Sequence, residues 1–249
     1  MPSKIGRPRE PTFRVKEILN NRLSDSNSPG KKKAWHEYSV GEKHRFTDIF
    51  TWNLGRKPLN HLFSINKKKP NILFLGPGKG EYIIPFKEEL KFKGLEPEID
   101  VFGLLKDTLS ASVKPEIKND FSMATPFESL DPEIKEHKNF FLKTIGKYDL
   151  IIAPMSVAYQ TKYPSFALYQ SALMLNKGGK AYLEVRSINS AKLADNKYGS
   201  QLLQLEKVFN RLINNYNKNY NQNNKYSFKI LGDLKTNPFG VFVEIERIN

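Results

Sequence analysis

The sequence predicts an α/β fold: a doubly wound, mostly parallel sheet with an antiparallel strand at its C-terminal end. Three observations predict it. Short apolar runs alternate with stretches of helical spacing from residue 71 onward, the first of these runs ends directly on a glycine-rich turn, and two adjacent strand-like runs close the chain. Parallel neighbours require crossovers, which places helices on both faces of such a sheet, whereas a closing hairpin reverses one strand.

Residues 1–45 read as a basic arm, and residues 46–249 as the folded domain. The arm holds Lys4-Ile5-Gly6-Arg7-Pro8-Arg9, a turn-rich segment over residues 24–30 and the run Lys31, Lys32, Lys33, with an amphipathic helix expected over residues 13–23. Its Gly-Arg-Pro-Arg element resembles the minor-groove AT-hook core only in part, because Ile5 stands where the leading arginine belongs. Next, Phe46, Ile49, Phe50, Leu59, Leu62 and Phe63 space two short helices broken near Gly55 and Pro58.

Asn71-Ile72-Leu73-Phe74-Leu75 is apolar on both faces and meets Gly76 at once, as a buried parallel strand does. A helix is expected over residues 83–93, a second strand over 99–103 and a short third strand over 115–119, just before Asp120. Residues 149–154, led by Tyr148, form a fourth strand. Residues 166–175 have helical spacing, Gly178-Gly179 turns the chain, and residues 180–185 form the fifth strand. Leu202, Leu205, Phe209, Leu212 and Ile213 share one face of a helix over 201–213, the polar residues 214–224 read as a surface loop, and strands over 227–231 and 241–248 make the hairpin. Glu184 and Glu244 fall inside strands and are expected at an edge or on the surface.

Composition excludes several kinds of chemistry. The 249 residues include no cysteine, which removes disulfides, thiolate zinc sites and thiol nucleophiles. His36, His44, His61 and His137 are scattered without a pair at i, i+4, so no metal site is expected. No apolar run approaches the roughly 20 residues that span a bilayer, and residues 1–10 are too polar for a signal peptide, so a cytoplasmic protein with no membrane partner is expected. The formal net charge is +14; residues 1–45 carry 11 Lys and Arg against 5 acids, a net of +6 that leaves +8 for the longer remainder. Clustered cations release counterions on meeting phosphate, which points the arm toward nucleic acid or another anionic macromolecule.

The densest chemical signal is Gly76-Pro77-Gly78-Lys79-Gly80-Glu81, between a buried strand and a helix. Glycines there allow a sharp turn and close approach of a ligand, and the helix N-terminus aims its N–H groups at the same place. A dinucleotide fingerprint would need glycine at Glu81. A phosphate-binding P-loop would need glycine at Leu73 and Ser or Thr at Gly80. The pattern that remains, G-x-G-x-G, resembles motif I of the class I S-adenosylmethionine-dependent methyltransferases, a Rossmann-like family, and Ile84-Pro85 in the next helix is also common there.

The resemblance runs from about residue 46 to the C-terminus. Asn119-Asp120-Phe121 looks like the family's acidic position facing the adenine amino group, Tyr148-Asp149-Leu150-Ile151-Ile152 like its fourth strand, and Leu173 through Gly179 with Ala181-Tyr182-Leu183-Glu184-Val185 like its "helix, Gly-Gly, fifth strand" signature. The resemblance implies S-adenosylmethionine as cofactor. It would be held by Gly76, Pro77, Gly78, Gly80 and Glu81, with Leu104, Asp120, Phe121 and Ala153 completing the site.

Two positions depart from the family pattern. Phe74 stands where a carboxylate often precedes the glycines, and Leu104 or Leu105 where an acid would accept the ribose hydroxyls; Asp107 and Glu81 are candidate substitutes. Ala153-Pro154-Met155-Ser156 lacks the Asp or Asn, Pro-Pro and aromatic of amino-group methyltransferases, which disfavours an exocyclic amine. The Lys-Asp-Lys-Glu set of ribose 2′-hydroxyl methyltransferases is absent too, and no catalytic residue is assigned. Methyl transfer to a large or anionic substrate is the function expected; a cofactor-free interaction module and a nucleic-acid-binding protein are the alternatives.

Overall fold

A strand buried on both faces must place apolar side chains alternately into two layers, and Asn71–Leu75 does so: Leu73 and Leu75 enter one cluster, Ile72 and Phe74 the other. The computed structural model describes residues 54, 56–103, 109–123, 127, 130, 135–153, 164–186, 197–231 and 241–249. The arm, the expected helix over residues 13–23 and the earlier of the two short helices lie outside these residues. In chain order the described elements are α1 (Lys57–Ser64), β1 (Asn71–Leu75), α2 (Ile83–Phe92), β2 (Glu98–Phe102), β3 (Asn119–Asp120), α3 (Lys135–Thr144), β4 (Tyr148–Ala153), α4 (Pro164–Met174), β5 (Leu175–Arg186), α5 (Lys197–Tyr220), β6 (Tyr226–Leu231) and β7 (Val241–Arg247). None of the described helices is long and apolar enough to cross a membrane.

The strands form one sheet in the order β3-β2-β1-β4-β5-β7-β6, parallel except for β7, which runs antiparallel to both its neighbours. The expected fold class is therefore the observed one. α1 and α2 cover the face holding Ile72, Phe74, Ile152, Tyr182 and Phe242; α3, α4 and α5 cover the face holding Leu73, Ile151, Leu183 and Val243.

Several local expectations are revised. Pro58 begins a helix instead of breaking one: it lies in the first turn of α1, where its missing N–H would have had no partner. Residues 115–119 are not a strand. Pro115 sits in a short 3-10 turn over Lys114–Glu116, and pairing with β2 begins only at Asn119. Gly178-Gly179 is not a turn ahead of the fifth strand but lies inside it. The chain bulges there within a continuous β5, so that Tyr148 and Leu150 of β4 lie opposite Leu175 and Lys180. Gly178 takes a φ of 78°, and a Cβ on Gly179 would stand 2.5 Å from the Tyr148 carbonyl oxygen.

The largest revision concerns residues 214–224, expected as a loop. α5 continues to Tyr220, because the apolar stripe of Phe209, Leu212 and Ile213 carries on through Tyr216, whose ring meets Tyr169 of α4 at 6.3 Å and Tyr220 at 4.8 Å. Asn221 then adopts a φ of 50° and Gln222 donates its N–H to the Asn217 carbonyl (2.9 Å), a left-handed C-terminal cap. The Asn217 side chain also pairs both ways with the Asn224 backbone, at 2.8 and 3.1 Å. Asparagines that read as loop composition thus serve to stop a helix.

At the amino edge of the sheet, Asp149 is 5% exposed and accepts from Lys67 Nζ (2.7 Å), the Asn71 N–H (2.6 Å) and the Asn176 amide. His61 of α1 donates Nε2–H to the Asp149 carbonyl at 3.0 Å, and burial holds its pKa below the ordinary 6.5. As the pH falls the unfolded chain takes up this proton first. The stability His61 contributes is therefore complete above pH 6.5 and declines below it. Thermal melts between pH 7.5 and 5 should show that decline, and His61→Gln should flatten it; an unchanged slope in the variant refutes the assignment.

Candidate cofactor site

In a sheet ordered 3-2-1-4-5, the chain leaves β1 toward β2 and leaves β4 toward β5. The loops that follow β1 and β4 thus diverge and leave a crevice at the carboxyl edge. The glycine turn lies in this position. Gly76, Gly78 and Gly80 all take left-handed φ values, of 61°, 62° and 71°. Side chains with a Cβ adopt such angles at a cost of about 1–2 kcal/mol each, which accounts for glycine at alternate positions.

The three glycines do different work. Gly76 donates its N–H to the Phe102 carbonyl (2.7 Å), tying the turn to the end of β2. Gly78 is exposed at the crest, and its N–H has no hydrogen-bond partner among the described residues. Gly80 faces inward: a Cβ there would stand 3.0 Å from Leu109 and 3.2 Å from Val113. Its neighbours come from the segment after β2, which folds back under the turn with the Ser110 N–H on the Lys79 carbonyl (3.0 Å). Pro77 is buried, and Glu81 is half-buried at the entry to α2.

Phe74 is fully buried beneath the turn, edge-on to Tyr82 and Phe86 with ring centroids 5.6 Å apart in both pairs. Its ring fills the core under the turn and supports the start of α2 by packing.

The other side of the crevice is built from β2 and β3. Asp120 is exposed, and its Oδ1 accepts the Ser122 N–H at 2.9 Å. Ser122 Oγ accepts the Gly103 N–H (2.9 Å), and the Gly103 carbonyl accepts the Met123 N–H (3.2 Å), so the ends of β2 and β3 are locked together. Phe121 donates its N–H to the Val101 carbonyl (2.9 Å) and turns its ring onto Phe140 at 5.3 Å. Ala153 is fully buried at the end of β4. Leu104, Leu105 and Asp107 lie outside the described residues.

Sequence reasoning missed the polar hub below this corner. Asp100, 1% exposed in the middle of β2, accepts from Tyr148 Oη (2.8 Å), Asn119 Nδ2 (2.7 Å) and Lys147 Nζ. Burial, reinforced by the Asp100 charge, pushes the Tyr148 hydroxyl pKa up, which keeps it a neutral donor. An aspartate inside the run Ile99-Asp100-Val101 was the available signal, since a buried carboxylate needs partners. Glu184, expected at an edge or on the surface, is 3% exposed in β5, flanked by β4 and β7. Among the described residues no group of three or more His, Cys, Asp or Glu forms a possible metal site.

No protein-family model matches the sequence, and no curated protein matches it. Solved structures do. The plantazolicin methyltransferase BamL, in complex with a triazolic desmethylPZN analog and SAH, superposes with a TM-score of 0.56 at 15% identity, covering 94% of this chain and 98% of that one. The plantazolicin methyltransferase BpumL in complex with SAH gives a TM-score of 0.52 at 13% identity, covering 95% and 98%. The citrinin polyketide synthase CMeT domain gives 0.51 at 13% identity, covering 96% of this chain and 66% of that one.

Proposed function

We propose, from the premise that the chain has the fold of the class I S-adenosylmethionine-dependent methyltransferases, that it transfers a methyl group from S-adenosylmethionine to a large or anionic acceptor. The observation that carries this reading is the turn from Gly76 to Gly80. It has three left-handed glycines, of which Gly78 is exposed and has no hydrogen-bond partner for its N–H among the described residues, at the carboxyl edge where the strand order reverses. Such a turn suits a ligand that needs close backbone approach and carries an anionic group, as the cofactor's carboxylate is.

In this reading Gly76, Pro77, Gly78 and Glu81 line the amino-acid end of the cofactor, Gly80 shapes the turn from inside, and Asp120, Phe121 and Ala153 border the nucleoside. The bound cofactor supplies an activated methyl group. The chain's own contribution is alignment of the acceptor for in-line displacement and exclusion of water. BamL and BpumL, which match nearly the whole of this chain in fold, are both complexes with SAH, and this supports the choice of ligand. Titration calorimetry of the full chain with S-adenosylhomocysteine should give saturable heat at micromolar concentration. No heat with either that ligand or S-adenosylmethionine at high micromolar concentration refutes the proposal.

The acceptor is proposed to dock through the basic arm of residues 1–45, with its net charge of +6. Binding of the full chain to a polyanion such as heparin should fall steeply with salt, and replacing Lys31, Lys32 and Lys33 by Gln should flatten that slope. An identical slope in the triple variant removes the arm from the account.

A further inference from the structure

We infer that the Asp100 hub is a positioning device for the nucleoside wall of the cofactor site, an inference that rests on the cofactor reading above. β3 has only two residues, paired with β2 at Asp100 with Asn119 and Val101 with Asp120, and backbone bonds from Lys118 to the Ile99 carbonyl (2.7 Å), Phe121 to Val101 (2.9 Å) and Met123 to Gly103 (3.2 Å) flank that pairing. These bonds set the register of so short a strand but tie it to β2 alone. The buried carboxylate adds a side-chain tie that reaches on to β4. Asp100 draws Asn119 onto β2 through Oδ1 and holds Tyr148 and Lys147, at the start of β4, through Oδ2.

From the hub the constraint passes directly to the carboxyl edge. Lys147 Nζ lies 5.9 Å from the centre of the Phe121 ring and 5.1 Å from that of Tyr148, so the same ammonium touches both the hub and the corner after β3. Asn119 is followed by Asp120, which holds Ser122, which holds Gly103 at the end of β2. The corner that borders the nucleoside is thus braced from below, in addition to its own backbone bonds, by a carboxylate in the middle of β2 that lies away from the ligand. A purely structural ion cluster would add stability anywhere in the sheet; this one joins the shortest strand to β4.

A comparable cluster serves as the internal control. Asp149 with Lys67, Asn71 and Asn176 joins the amino ends of β1, β4 and β5; its Asn71 side-chain amide also meets the Lys147 carbonyl (3.3 Å), so the control variant is placed at Lys67, which donates to Asp149. The test uses the full-length protein and S-adenosylhomocysteine as probe, well below the melting temperature of each variant. Tyr148→Phe and Asp100→Asn should each weaken binding about fivefold or more and speed hydrogen exchange at the Phe121 and Met123 amides. Lys67→Met should lower Tm while leaving both readouts unchanged.

Tyr148→Phe keeps the ring and removes one hydroxyl, so it decides the matter alone if Asp100→Asn fails to fold. Unchanged affinity or unchanged exchange in Tyr148→Phe overturns the inference while the cofactor reading stands, as does an equal loss of affinity in Lys67→Met. A wild-type chain that binds no probe brings down the cofactor reading, and the hub's role with it.

Discussion

Gly78→Val is expected to weaken S-adenosylhomocysteine binding by at least about tenfold. Gly78 has a φ of 62°, a region where an added Cβ costs about 1–2 kcal/mol and a β-branched side chain more. At about 1.4 kcal/mol per factor of ten, relaxing the turn to relieve that strain accounts for the loss before any clash with ligand is counted. The variant should still fold, since Gly78 is exposed. The matched control is Gly94→Val. Gly94 has a φ of 78°, a Cβ added to it would meet no atom within 4 Å, and it lies just beyond the far end of α2. It carries the same backbone penalty away from the crevice. Calorimetry on both variants should show weakened binding in Gly78→Val alone; equal affinities would mean that the crest of the turn does not meet the ligand.

Phe74→Ala is expected to cost about 3–5 kcal/mol of folding stability, the range for emptying a buried aromatic site. The ring is fully buried, packs edge-on against both Tyr82 and Phe86, and supports the first turn of α2. Neither neighbour is positioned to refill the space without leaving its own packing. Phe74→Asp should be worse, because the carboxylate would enter a layer of Ile72, Ile83, Phe86 and Ile152 with no cation among them. Urea denaturation of the wild type and Phe74→Ala measures the difference; a loss below about 1 kcal/mol would show that the site collapses freely and that the ring is not the support proposed.

These two variants bracket what was legible in the sequence. The strand Asn71–Leu75 and the turn after it were readable residue by residue, because an apolar run of five and a glycine-rich turn are local signals. β4 and the closing hairpin were readable for the same reason, each within one residue of its observed ends. α5 was legible only to Ile213. Beyond it the residues are polar, and what keeps them helical is Tyr216 against Tyr169, a contact across 47 positions that no periodicity displays. The short β3 lies later than expected because Pro115 belongs to a turn, and its true pairing depends on partners in β2.

The candidate site divides similarly. The glycines were legible because only glycine accepts the turn's geometry, whereas the inward aim of Gly80 became visible only once Leu109 and Val113 were placed beneath it. By the family pattern Phe74 is a missing acid. In place it is a core residue under the turn, since alternation along β1 points it into the layer shared with Tyr82 and Phe86.

What the sequence by itself determined is the alternation of layers, the position of the turn and the absence of thiol chemistry, for these depend on side-chain period, glycine content and composition alone. Only the tertiary structure decided that Asp100 and Glu184 are buried, that α5 runs on to Tyr220 and that a carboxylate in the neighbouring strand braces β3. The physical reason is that each depends on contacts between segments far apart in the chain, Tyr216 on Tyr169 for α5 and hydrogen-bond partners for the carboxylates. A polar group enters the interior when partners from distant segments satisfy it, and those partners, such as Tyr148 for Asp100 across 48 positions, are brought together only by the assembled sheet.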